Sequence, residues 1–166
     1  PAHYLFGMDR DHLHFFASRN SHAVIHPESR PGEFQAELWK YDVAEFFLRA
    51  PDSNHYLEFN LAPNGGWWSC LFKETLVPME ENNPPLPGVI ASGEVGPDGW
   101  NAHAKIPLSF LREHLDFGPD SMLNTTFILN SPEQIFLTAG APAPGKPNFH
   151  RPDDFPGVRI RSDVTL

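Results

Sequence analysis

The chain has a single cysteine, Cys70, among its 166 residues, and so forms no internal disulfide. Cys70 lies in the apolar run Trp67-Trp68-Ser69-Cys70-Leu71-Phe72, where a small buried thiol is expected rather than a nucleophile. Basic residues are also scarce: 12 Lys and Arg face 21 Asp and Glu, for a formal net charge of −9. They are scattered, whereas nucleic-acid affinity depends on clustered cations that displace counterions, so no nucleic-acid partner is expected. No apolar run approaches the roughly 18 residues needed to cross a bilayer. The expectation is a soluble chain without a membrane partner. It opens Pro1-Ala2-His3 with no Met, as a processed or trimmed product does, so the sequence leaves the compartment open between cytoplasm and periplasm. It is silent on oligomeric state.

Motifs of hydrolytic or phosphate chemistry are missing too. There is no Gly-x-Ser-x-Gly, no His-Glu-x-x-His and no Gly-rich phosphate loop. Neither Ser131-Pro132-Glu133 nor Ser69-Cys70 carries a sign of an activating base, so no catalytic residue is expected. Internal repeats, heptads and low-complexity tracts are absent, and the length fits one domain spanning residues 1–166.

What the chain has in quantity is proline, glycine and phenylalanine. The 18 Pro and 12 Gly, spread along the length, exclude long helices, because Pro removes a backbone donor and blocks the preceding turn. The 14 Phe fall in short β-prone runs such as Glu45-Phe46-Phe47-Leu48, Leu57-Glu58-Phe59 and Thr126-Phe127-Ile128-Leu129. Strands of this kind, separated by turn residues, predict an all-β fold, an antiparallel β-sandwich or barrel. Asp9-Arg10-Asp11 and Pro97-Asp98-Gly99 read as hairpin tips. Leu108–Leu115 reads as the one short helix, with Pro107 at its first turn and Gly118 beyond its end. Periodicity alone would also make a helix of Phe34-Gln35-Ala36-Glu37-Leu38-Trp39-Lys40-Tyr41-Asp42-Val43-Ala44-Glu45. The Pro-rich segments 78–87 and 141–156 read as surface loops.

Two spacings carry more than fold class. Trp39-x-x-Asp42-x-x-Glu45 precedes Tyr56-x-Glu58-x-x-x-x-Pro63-x-Gly65, and Trp100 opens a run ending Ile106-Pro107. This layout resembles the family 9 carbohydrate-binding modules (CBM9) and the wider DOMON-like group, over roughly residues 4–155. The closing Phe149-His150-Arg151-Pro152-Asp153-Asp154-Phe155 resembles the ending of some bacterial DOMON-like proteins. The resemblance implies a β-sandwich, a bend over 38–41 followed by a strand over 42–48 in place of the helix, and binding rather than catalysis. It implies that Trp39 and Trp100 are core residues.

A saccharide site needs a flat aromatic surface beside polar donors and acceptors, and Trp67 and Trp68 next to Asn64 supply both. Adjacent strand residues point to opposite faces, so at most one of the two indoles enters the core and the other is available to a ligand; alternatively both pack at a sheet corner. Arg151 and Asp153, on a proline-stiffened loop, are candidates for the rim of the same site, or they tie down the end of the chain. Asp42 and Glu45 point to opposite strand faces and form no acid/base dyad. No metal ligand set is expected, although calcium could draw on Asp42, Asp52, Ser53 and Asn54.

Two rival functions remain. One is a haem-binding electron-transfer domain, with Met8, Met79 or Met122 paired to His3, His22, His103 or His150. The other is a metal-dependent enzyme using His12 and His14, which the alternation of a strand places on one face.

Overall fold

Alternation in the first hairpin sets the architecture. Strand β1 (Ala2–Met8) pairs antiparallel with β2 (His12–Arg19), and the Asp9 carboxylate closes the turn by accepting the Asp11 and His12 amides at 2.8 Å. In β2 the residues Leu13, Phe15, Ala17 and Arg19 are buried, whereas His12, His14, Phe16 and Ser18 face outward. This computed structural model describes residues 1–161. The remaining strands are β3 (Val43–Arg49), β4 (Tyr56–Leu61), β5 (Trp67–Glu74), β6 (Val77–Pro78), β7 (Ile90–Val95), β8 (Trp100–Pro107), β9 (Met122–Leu129) and β10 (Ile135–Thr138). They form two antiparallel sheets, a smaller one ordered β1-β2-β8-β7 and a larger one ordered β10-β9-β3-β4-β5-β6. The fold is an antiparallel β-sandwich.

The phenylalanines join the two layers. Phe6 stacks on Phe15 at 4.9 Å, Phe15 meets Phe46 of the opposite sheet edge to face at 5.1 Å, and Phe46 stacks on Phe59, which stacks on Trp67. Such pairs add about 0.5–1.5 kcal/mol each beyond the apolar area they bury. Helix α1 (Leu108–Leu115) continues from β8 and closes the core with Leu108, Leu111 and Leu115. It ends at Asp116, which is left-handed at φ 47, two residues before the glycine expected to stop it. The helical periodicity of 34–45 is realised only as a 3-10 turn, Leu38–Lys40, after which β3 starts. Leu38 takes the buried position there, and this leaves Trp39, expected in the core, 52% exposed. Trp100 is buried, as expected.

Every residue of β4, and all of β3 except Arg49, is buried, on both faces. One face meets the aromatic core. The other is covered by residues 149–157, which cross the larger sheet as a strap held by the Met122–Gly157 bridge and by hydrogen bonds of Leu123 to Pro156 and Val158 to Ser121.

Candidate ligand-binding face

Register brings the polar residues of four strands onto that second face. Trp68 lies opposite Asn60, Asn60 opposite Glu45, and Glu45 opposite Thr126, making one row across β5, β4, β3 and β9. In the next row Cys70, Glu58, Phe47 and Asn124 are partners, and in the third Phe72, Tyr56, Arg49 and Met122. Phe149 and Phe155 of the strap pack onto Phe47, and Phe149 also meets Phe136. The His150 ring lies edge-on to Phe47 and Phe72.

Beneath the strap the polar groups are only partly matched. Thr126 donates its hydroxyl to Glu45 at 2.6 Å. Leu76 N–H donates to the Tyr56 hydroxyl, which donates in turn to Nδ1 of His150 at 2.9 Å. The Nε2–H of His150 then faces Glu58 at 3.4 Å. Burial holds the His150 pKa down to about 4, so this contact joins a neutral imidazole to Glu58 and is not an ion pair. Burial raises both Glu45 and Glu58, and the Glu45 charge raises Glu58 further; the two carboxyls resist being ionised together. Asn60 is 1% exposed, and among the described residues neither its Oδ1 nor its Nδ2 has a hydrogen-bond partner of normal geometry, although the amide lies near enough to Glu58 to favour the carboxylate. An unmatched buried amide costs about 1–3 kcal/mol, and native folds avoid it unless water or a ligand completes the group.

The residues singled out from the sequence divide between this face and the fold. Trp67 does not supply a stacking platform: it points into the core, is 5% exposed, and donates its Nε1–H to the Gly32 carbonyl at 3.1 Å. Trp68 points the other way, half-buried against the cluster of Phe47, Tyr56, Cys70, Phe72 and Phe155. Asn64 belongs to the β4–β5 turn, where its Oδ1 accepts from the Ser29 hydroxyl and the Gly66 amide and its Nδ2 donates to the Ser29 carbonyl. Arg151 pairs with Asp154 and lines a cavity of about 150 Å³ between the strap and β9–β10, together with Asn124, Phe136, Thr138 and Phe149. Asp153 is exposed and bonds Arg49 at 3.1 Å, anchoring the strap to β3. Cys70 is buried, its thiol pushed up to about 12 by burial and then by the Glu58 charge.

The suggested calcium ligands cannot converge. Asp42 and the segment Asp52-Ser53-Asn54 lie at opposite ends of β3, about 23 Å apart at the usual rise per strand residue. Asp42 is instead a structural acceptor for the Val24 and Asn130 amides and sits 3.7 Å from Arg19. His12 and His14 do share a face, but both nitrogens of His14 are engaged, Nε2 with Asp9 at 2.7 Å and Nδ1 with His103 at 2.9 Å. Among the described residues no three His, Cys, Asp or Glu side chains are placed to hold a metal ion. No described helix is long and apolar enough to cross a membrane.

Sequence reasoning missed Asn60 and the pairing of Glu45 with Glu58. Their signal is Glu58-Phe59-Asn60 on an otherwise apolar strand, which alternation alone reads as a solvated face.

No protein-family model and no curated protein matches the sequence. Solved structures do match in fold. A proposed carbohydrate-binding protein from Bacteroides uniformis aligns with a TM-score of 0.66 at 17% identity, over 93% of this chain and 76% of its own. A CBM9 module from Caldicellulosiruptor kristjanssonii in complex with cellotriose aligns with a TM-score of 0.62 at 14% identity, over 99% and 80%. The structure of a CBM9 from the same organism in complex with glucose gives 0.62 and 14%, over 99% and 79%. The chain shares the CBM9 fold.

Proposed function

We propose that this chain is a non-catalytic carbohydrate-binding domain whose saccharide seat is the outer face of the larger sheet. The observation that carries the reading is the unpartnered Asn60 amide, buried between Trp68 and the two carboxyls Glu45 and Glu58. A sugar ring offers an apolar C–H face and a rim of hydroxyls, and this face offers an indole and side chains that can donate to or accept from those hydroxyls. Trp68 is the stacking residue, Asn60 and Glu58 read the hydroxyls, and Arg151 and Asp153 lie at the rim on the strap. A ligand reaches Asn60 by shifting Phe149 and His150. The shared fold with modules solved in complex with cellotriose and with glucose supports the same ligand class.

Calorimetric titration with cellotriose and with glucose tests this. The intact chain binds at least one of them, and Trp68→Ala and Asn60→Ala each weaken binding by about tenfold or more, as expected for loss of about 1.4 kcal/mol. Affinity unchanged from the intact chain in both variants would remove the face from the account.

A further inference from the structure

The opposite face of the sandwich carries a built feature that the saccharide reading does not use. A cleft of about 700 Å³ crosses the smaller sheet, lined from every strand: His3 and Leu5 on β1, Phe16 and Ser18 on β2, Asn101 and His103 on β8, Ser92 and Glu94 on β7. Its volume is that of a small-molecule site. Alternation puts these side chains on the side of the sheet facing away from the aromatic core, and no other segment of the described chain makes a side-chain hydrogen bond to Ser18, Ser92 or His3.

One wall is pre-set. The rings of Phe16 and His103 are parallel, 4.1 Å apart with an interplanar angle of 4°, and His14 stacks beside them. Behind the stack runs a hydrogen-bonded chain from the Asp9 carboxylate through His14 to His103. His14 holds Asp9 well below the usual carboxylate range. Burial, then the His14 and Lys105 charges, lowers His103. His14 donates Nε2–H to the Asp9 carboxylate, and its Nδ1 shares a hydrogen bond with Nε2 of His103, so the chain fixes the orientation of both rings. Nδ1 of His103 is the ring nitrogen not used in this chain. A ring fixed in this way loses little entropy when it meets a ligand.

The lining selects the ligand. It contains one carboxylate, Glu94, and no Lys or Arg, on a chain of net charge −9, so it disfavours anions. Hydroxyl, amide and imidazole groups beside an apolar wall match an uncharged ring with one apolar side and several hydroxyls. We infer that the cleft over β1, β2, β8 and β7 is a second saccharide site, with Phe16 and His103 as its wall and Ser18, Asn101 and Glu94 as its hydroxyl-reading groups. Asp9 and His14 are positioning residues that act through His103.

The test uses the Trp68→Ala variant, which disables the proposed seat on the larger sheet, so the two sites succeed or fail separately. Amide resonances are followed by NMR during titration with cellotriose, xylotriose, mannotriose and glucose at millimolar concentration. The expected result is saturable shifts at Ser18, Ser92, Asn101 and His103 with at least one sugar, weakened about tenfold or more by Phe16→Ala or Asn101→Ala. Asp9→Asn is expected to weaken the same titration less and to change the ring-nitrogen shifts of His103, a signature that general loss of stability does not produce. No shift at these positions with any of the four sugars, or shifts indifferent to both cleft substitutions, would overturn the assignment.

Discussion

The Tyr56 hydroxyl lies 2.9 Å from Nδ1 of His150, a bond between residues 94 apart in sequence that fastens the strap to the centre of the larger sheet. Because the same oxygen also accepts the Leu76 amide at 3.1 Å, Tyr56 serves two segments at once. Tyr56→Phe keeps the ring stack on Phe72 and leaves an imidazole nitrogen and an amide unmatched. The expected cost is about 1–3 kcal/mol. Urea denaturation measures the loss, and hydrogen exchange over residues 149–155 is expected to accelerate more than exchange in β2 or β8. Uniform acceleration would show that the bond does not hold the strap in particular.

Burial of Glu58 beside Glu45 makes stability depend on pH with a definite sign. A carboxyl whose folded pKa is raised contributes stability that is fully present below its ordinary range, near 4.5, and is lost as pH rises through the folded value. His150 acts oppositely: its contribution is present above 6.5 and is lost as pH falls towards about 4. Above 6.5 the His150 contribution is constant, and the remaining decline belongs to the carboxyls. Thermal melts from about pH 6.5 to about pH 8 should show falling stability in the parent chain, and Glu58→Gln should flatten the slope, which is about 1.4 kcal/mol per pH unit for one carboxyl. Parallel slopes in the two proteins would contradict the buried pair.

The neighbouring indoles should separate stability from binding. Trp67 fills the core against Phe59 and Phe34, so Trp67→Ala is expected to cost about 3–5 kcal/mol in urea denaturation. Trp68→Ala removes a half-buried ring from the outer face and should cost distinctly less while weakening saccharide binding at that face about tenfold or more. The reverse ranking of the two stabilities would mean that the faces are misassigned.

Gly65 marks where the β4–β5 turn presses on β7. It is left-handed at φ +88, and a Cβ there would lie 2.5 Å from the Ser92 backbone carbon. Gly65→Ala combines an unfavourable backbone conformation with a main-chain clash and is expected to cost more than 1 kcal/mol. Asn64→Ala, which loses the turn's hydrogen bonds to Ser29 and Gly66, should lower the melting temperature with no change in saccharide affinity. An affinity loss at Asn64 would return it to the ligand site.

Much of this architecture was legible in the sequence because it rests on local signals. The hairpin tip at Asp9-Arg10-Asp11, the helix Leu108–Leu115 and the strand after Tyr41 all appear where turn chemistry and the CBM9 resemblance put them. Alternation also required Trp67 and Trp68 to part, but it could not say which would face the core. That depended on the register of β5 against β4, which sets Trp67 opposite Leu61 and Trp68 opposite Asn60. Trp39 was misplaced because the 3-10 turn buries Leu38 instead. The buried row of Asn60, Glu45 and Thr126 was hidden for a longer-range reason. The same outer face carries a strap whose His150 meets Tyr56 from 94 residues further along the chain, and local polarity carries no record of that contact.

The most direct test of the saccharide seat is the side-chain amide resonance of Asn60, followed by NMR while cellotriose and then glucose are added to the unmodified chain. The account predicts a saturable shift of that resonance together with the Trp68 indole N–H, and an Asn60 titration weakened about tenfold or more in Trp68→Ala. Resonances that stay fixed throughout both titrations would contradict it.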